Sequence, residues 1–465
     1  MSLPKIDRRW WVTLNVSIGI FMSTLDASVV NISLPTITQA LNTHVKAVAW
    51  VVMAYLIVIT GCLLLMGRLA DLLGQKRIYL FGLCTFILGS ALCGLSPTVH
   101  FLIGSRMIQG LGASALMAIG PAIMTTAFSD KDRGQALGIV GSVVSAGFLT
   151  GPILGGFLVE HMGWRSVFFV NLPIGVIAIF MTSKFLERKQ RTKEVRLDLL
   201  GAFLIFCFVT FLLLFLNRVS EGPTLLLLAW FSLTLACFIF FIFSEFRSPS
   251  PLVDLNVFRR RLFVSSLGTS LLSFWMSAAH TFVAPFFLQN ILAFSPSKVG
   301  ILIFPLSLTV MVLAPLGGRV SDRVGVRIPA TIGLTVISLT IFSFTFLKSH
   351  VSDYHIVWRH VVIGIGIALF NPANNSAIIG SLPKEKIGLA SSFLALSRNL
   401  GMMIGIAFAE MVIALRIPAA TPSLESIHDV WKLGLLIGLT AILISWIREK
   451  GMEALHPKGR SFPAR

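Results

Sequence analysis

The sequence predicts an all-α membrane protein, and three observations carry that prediction. Of its 465 residues 55% are hydrophobic and only 12% are charged, with a mean hydropathy of +0.86. A soluble domain carries about 25% charged residues, so a water-soluble chain of this size could not cover itself. Apolar runs of about 20 residues, enough to cross a bilayer, recur from end to end. The third observation is an internal repeat. Gly67, Asp71 and Gly74 return as Gly318, Asp322 and Gly325, and Pro121 returns as Pro372, all at one offset of 251 positions.

Taken in order, fourteen apolar runs bounded by polar or Pro/Gly breaks lie near 12–34, 48–66, 78–96, 101–127, 135–159, 166–186, 199–217, 224–244, 263–290, 299–317, 328–347, 357–379, 388–415 and 430–447. The start, with Lys5, Arg8 and Arg9 ahead of an apolar stretch, resembles a secretion signal. It shows no cleavage pattern, so it is read as a retained first span. An offset of 251 at about 33 residues per span is eight spans, whereas two equal halves would repeat after six. Spans 7 and 8 therefore read as a two-helix hairpin inserted between two pseudo-symmetric six-helix bundles. The division is 1–190, 191–260 and 261–465, the last including a cytoplasmic tail. Parallel repeats of this kind mark secondary transporters, with the substrate site between the halves.

Charge fixes the orientation. With the N-terminus cytoplasmic, the connections on that side hold 28 of the 38 Lys and Arg, and the opposite loops hold seven. This bias places both termini inside. The six-basic linker 184–196 reads as part of the signal, near anionic lipid. The net charge of +18 does not indicate nucleic acid, because the charges sit in short connections rather than on one face. All five cysteines lie in apolar runs, with neither a disulfide framework nor metal spacing. No cofactor, metal or catalytic set is expected, and a membrane enzyme or receptor is the remote alternative.

Asp26 is the most informative residue, a carboxylate deep in span 1. Such a group must face a cavity or a partner. It reads as a proton or cation site in a water-lined crevice where the two lobes meet, or else as an acid pairing with a neighbouring helix. Glu410 in span 13 is a second intramembrane acid. Arg106 with Gln109 in span 4, and Arg398 in span 13, are candidates for coupling protonation to conformation. The alternative for Arg106 is snorkelling toward the outer surface. Asn31, His280, Asn371, Asn374 and Asn375 are the candidates for lining a substrate cavity; Asn374 and Asn375 could instead bridge helices, and a lone intramembrane histidine such as His280 is more often a hydrogen-bonded packing residue. Gly147, Gly151 and Gly155 share one face of span 5 with Pro152 and Gly156 beside them, a close but bendable contact between bundles. The short loop with Gly67, Arg68, Asp71, Gly74 and Arg77, and its copy at Asp322, reads as a contact made in one conformation and broken in another.

Together these segments resemble the major facilitator superfamily, and within it the fourteen-span drug:proton antiporters of the EmrB/QacA type. Gly67–Arg77 is similar to the signature between spans 2 and 3, and Arg106–Ala113 to the span 4 motif tied to proton coupling. Gly147–Gly156 is similar to the antiporter motif, and Leu25–Pro35 to the span 1 motif of the fourteen-span group. Trp164-Arg165 with Asn171–Gly175, and Leu197–Gly201, also fit that group. The resemblance implies a proton-coupled exporter of amphipathic or cationic drugs in the cell (inner) membrane, working by alternating access. Its partners would be small amphipathic molecules, protons and the bilayer, and a monomer would suffice. The rival readings are an exporter of an endogenous lipid, siderophore or metabolite, and a facilitator without coupling.

Overall fold

The structure, a computed structural model, describes residues 8–128, 133–186, 199–219, 222, 224–247, 255–383, 387–416 and 422–448. Most of the basic linker 184–196, Lys5, Leu197 and Asp198 lie outside them. Among the described residues the chain is helical, without strands. The helices are α1 (Arg8–Ala40), α2 (Val45–Leu73), α3 (Gln75–Gly94), α4 (Val99–Ala127), α5 (Arg133–Met162), α6 (Ser166–Phe169) and α7 (Asn171–Phe185). They continue with α8 (Leu199–Arg218), α9 (Leu225–Arg247), α10 (Arg261–Phe286), α11 (Pro296–Val324), α12 (Arg327–Ser343), α13 (Asp353–Gly380), α14 (Ile387–Arg416) and α15 (Leu424–Ile447). Thirteen spans among the described residues are long and apolar enough to cross a membrane, α6 and α7 counting as one. The remaining apolar helix is the shorter Phe203–Arg218 stretch of α8. Large apolar side chains such as Val176, Phe180, Leu228 and Phe240 stand exposed, as suits a surface whose solvent is lipid.

Two of the sequence boundaries need correction. Gly67–Leu73 is not a loop but the last two turns of α2, and Gly318–Val324 likewise ends α11. Only Gly74 separates α2 from α3, with φ 97°, and Gly325 occupies the same place after α11 with φ 84°. That left-handed backbone costs glycine nothing and other residues about 1 kcal/mol or more. The repeated glycine therefore lets the chain reverse within one residue after α2 and two after α11. A further departure lies in span 9, where α10 passes Pro285 and ends in a π-helical turn, Phe287–Ile291.

The packing repeats with the sequence. In the first set α1 lies against α5 and α7, α2 against α4, and α3 against α4 and α7. In the second set α10 lies against α14 and α15, α11 against α13, and α12 against α13 and α15. The sets meet mainly through α5 with α11 and α2 with α14, while α8 packs on α9, α2 and α14. We call the end of the molecule that holds Arg8 and Ile447 the terminal face, and the other the far face.

Contacts between the sets favour the far face. A Cβ on Gly300 would run into the Pro152 carbonyl, and one on Gly156 into that of Pro296. Glu160 Oε2 accepts from the Ser297 amide at 2.8 Å, and Gln289 Nε2 donates to the Ile32 carbonyl at 2.8 Å. The Gly147, Gly151 and Gly155 stripe was expected between the bundles. It instead seats α5 on α1 within the first set, against Thr24, Ser28 and Val29. Its neighbours Pro152 and Gly156 make the contact across sets.

Candidate functional site

The polar centre of the first set lies where α1, α3, α4 and α7 converge. Gly89 brings α3 onto the backbone of Gln109, Gly112 brings α4 onto Phe86, and Gly110 seats α4 on Tyr55 of α2. Missing side chains allow such approaches, and short polar groups then reach one another. Arg106 Nη1 donates to Asp26 Oδ2 at 2.5 Å and to Gln109 Oε1 at 2.6 Å. Gln109 Nε2 donates to Asp26 Oδ1 at 2.8 Å and to Ser90 Oγ at 2.7 Å. Asn171 Nδ2 donates to Asp26 Oδ1 at 3.2 Å. The guanidinium also donates from Nε to the Val51 carbonyl at 3.1 Å and lies over the Tyr55 ring, 4.0 Å from its centroid.

Asp26 is 1% exposed and Arg106 fully buried. Arg106 therefore does not snorkel. In this conformation Asp26 does not face a crevice between the lobes either: its carboxyl points into the first set, where the guanidinium neutralises it. The reason is dielectric. A charge removed from water is tolerated only with a close, hydrogen-bonded partner, and removing one partner costs about 3–5 kcal/mol.

The second intramembrane acid, Glu410 on α14, is also buried, and Asn217 Nδ2 of α8 donates to its Oε2 at 3.2 Å. Sequence reading missed Asn217, because nothing local marks an asparagine near a helix end as the partner of a residue 193 positions away.

The cavity candidates separate. Asn371 and Asn375 are half-buried, as is Asn31, whose Nδ2 donates to the Ala27 carbonyl at 3.3 Å. Asn374 is not a cavity residue. It is buried, donating to the Ser266 carbonyl at 3.0 Å and accepting from Arg448 Nη2 at 2.7 Å, so it ties α13 to α10 and to the end of α15. His280 is not one either. It is 2% exposed inside the second set, among Phe344, His360 and Trp431. Neither of its ring nitrogens has a hydrogen-bond partner among the described residues. The offset of 251 carries Gln109 onto His360, so an aromatic and histidine cluster takes the place in the second set that the ion pair holds in the first. Arg398, a coupling candidate, is half-buried on α14 and makes no hydrogen bond or ion pair among the described residues.

The residues of the repeated turn make few contacts. Asp71 and Asp322 are exposed and form no ion pair among the described residues, and neither Arg68 nor Arg77 reaches an acid. A Cβ on Gly67 would meet open space.

Comparison with known proteins follows the same lines. The profile of the Major Facilitator Superfamily matches residues 16–406 and 266–459. The riboflavin transporter RibZ of Clostridioides difficile is 35% identical over 404 residues, covering 87% of this chain and 88% of its own. The multidrug resistance protein Stp of Mycobacterium tuberculosis is 33% identical over 417 residues, covering 88% and 76%. Among solved structures, the human organic anion transporter MFSD10 shares the fold, with a TM-score of 0.63 at 16% identity, over 96% of this chain and all of the other. The match spans most of the sequence and agrees with the all-helical, multi-pass architecture. The chain belongs to the Major Facilitator Superfamily and is a transporter, not an enzyme.

Proposed function

We propose that this transporter is a proton-coupled exporter of amphipathic small molecules. It works by alternating access between two six-helix bundles, 1–190 and 261–465, with residues 191–260 as the inserted hairpin and α8 as a fourteenth span. In this reading the chain is of the fourteen-span EmrB/QacA type, acts as a monomer in the inner membrane, and has both termini in the cytoplasm. The terminal face is then the cytoplasmic face. The far-face contacts of α5 with α11, and the idle Asp71 and Asp322, describe a state sealed from outside.

The observation that carries the proposal is the Asp26–Arg106 pair. The buried carboxylate can be neutral in only two ways, by this guanidinium or by a proton. A proton on Asp26 strips Arg106 of its counterion, and Arg106 must then find water or another acceptor. That need moves α4 relative to α1, so protonation and conformation are linked. Gln109 and Asn171 hold the carboxylate in place for the exchange. Glu410 is a second acid available to the same cycle. A proton entering down 100 mV supplies about 2.3 kcal/mol, enough for about 1.7 decades of substrate gradient at ~1.4 kcal/mol per decade.

The test is transport of two fluorescent amphipaths, the cationic ethidium and the anionic fluorescein, in proteoliposomes under an imposed pH gradient. Gradient-driven movement that an ionophore abolishes, and that Asp26→Asn loses, is expected. Wild-type rates for Asp26→Asn, or indifference to the gradient, overturns the coupling. A second reading, an uncoupled transporter of an aromatic metabolite, is favoured by the relative named for riboflavin. Ionophore-insensitive riboflavin counterflow would establish it.

A further inference from the structure

Of the charged side chains on the described helices, Asp26 and Arg398 alone lie more than ten residues from both ends of their helix. Asp26 is enclosed with its partners. Arg398 is half-buried and has none among the described residues, eleven residues into α14 and about 16 Å along its axis.

The packing of α14 shows where the guanidinium points. Ser397 donates to Ser270 Oγ at 3.1 Å, and Gly401 and Gly405 lie against the Leu271 and Trp275 carbonyls, so these three positions form the seam with α10. Arg398 stands with Ser391, Ala395 and Met402 on a stripe about 90° around the helix from that seam, all half-buried or exposed. Turning the other way from the seam, the half-buried residues include Leu389, Leu396, Leu400, Ile404 and Met411, an apolar surface. A cation at this depth does not face hydrocarbon. The stripe therefore faces the interior, and α14 also packs against α2 of the other set. Asn371 lies at a matching level on α13, nine residues before its end and about 14 Å along the axis. It lies between the α13 surfaces that meet α10, through Asn374, and α11, through Ala368, and its side chain forms no hydrogen bond among the described residues.

We propose that Arg398 receives an anionic group of the transported molecule, a carboxylate, phosphate or phenolate on an apolar body, with Asn371 as a neighbouring donor. This rests on the reading of the chain as an exporter of amphipathic molecules, and it selects acidic over cationic ones. At this depth the described spans offer a cation no equivalent, since Asp26 and Glu410 are both buried.

Equilibrium binding needs no gradient, so it tests this independently of proton coupling. The probes are radiolabelled 4-butylbenzoate and 4-butylbenzylammonium, which share one apolar body, on purified protein in nanodiscs of neutral lipid. The wild type is expected to bind the carboxylate saturably and at least tenfold more tightly than the ammonium. Arg398→Gln should lose that preference, and Arg398→Lys should keep most of it. Equal affinities in the wild type, or an undiminished preference in a folded Arg398→Gln protein, overturns the proposal. Nanodiscs with phosphatidylglycerol distinguish the source of the anion. If that lipid alone abolishes the preference, Arg398 holds a headgroup and the assignment to a transported molecule falls.

Discussion

Asp26 and Arg106, 80 positions apart in the chain, form an ion pair that is closed to solvent and braced by Gln109 and Asn171. Asp26→Asn keeps the shape but leaves a buried, uncompensated guanidinium, and Arg106→Gln does the converse. Each is expected to cost about 3–5 kcal/mol, read as a clear drop in thermal midpoint in detergent. The double variant should recover much of the stability without recovering transport. Additive losses would show that the two charges do not depend on each other.

The glycines of α5 differ from Gly67 near the end of α2. A side chain at Gly147 or Gly151 meets Thr24 or Ser28 directly, whereas Gly67 faces open space. Gly151→Val should therefore destabilise by about 1–3 kcal/mol, and Gly67→Ala should stay within about 0.5 kcal/mol. Thermal unfolding of the two variants decides this. A loss of transport in Gly67→Ala at unchanged stability would report on a conformation other than this one.

The far-face seal rests on backbone approach. Gly300→Leu forces α11 away from the Pro152 carbonyl, and Glu160→Gln weakens the bond to the Ser297 amide. In a background lacking the five native cysteines, a cysteine at Asn31 should react faster with a membrane-impermeant thiol reagent when Gly300→Leu is present. Equal rates would place the seal elsewhere.

His280 gives the opposite expectation to Asp26. Its ring nitrogens are buried without partners among Phe344, His360 and Trp431. Replacing such a group by an apolar residue of similar shape is nearly neutral or stabilising. His280→Phe should thus fold with an equal or higher thermal midpoint and transport normally. Loss of transport at preserved stability would restore His280 to the substrate path.

Asn217 ties α8 to Glu410. Asn217→Leu leaves a buried carboxyl short of a donor and should cost about 1–3 kcal/mol, measurable as a lower midpoint that Glu410→Leu in the same chain relieves. No relief would mean that α8 is held by apolar packing alone.

The repeat at 251 positions is legible in the sequence because its glycines are required by the backbone itself, at Gly74 and Gly325. The boundaries of the turn were not legible. Nothing in Gly67–Leu73 stops a helix, so α2 runs on to Gly74. Arg106 and Gln109 share a helical face, which their spacing of three residues already implies. Asn217, Ser90 and Arg448 carry no such mark, since each acts through a residue on a distant helix.

By itself the sequence determined the solvent of the fold, the run of apolar helices, the two-fold repeat, and the presence of a carboxylate deep in the first span. These follow from composition and periodicity, which act residue by residue. The tertiary structure alone decided that Asp26 is held by Arg106, that Asn374 and His280 belong to packing, and that Arg398 has no hydrogen bond or ion pair among the described residues. Helical periodicity fixes which face a side chain occupies. Which helix meets that face depends on how closely backbones approach, and that is set by glycines on several helices at once.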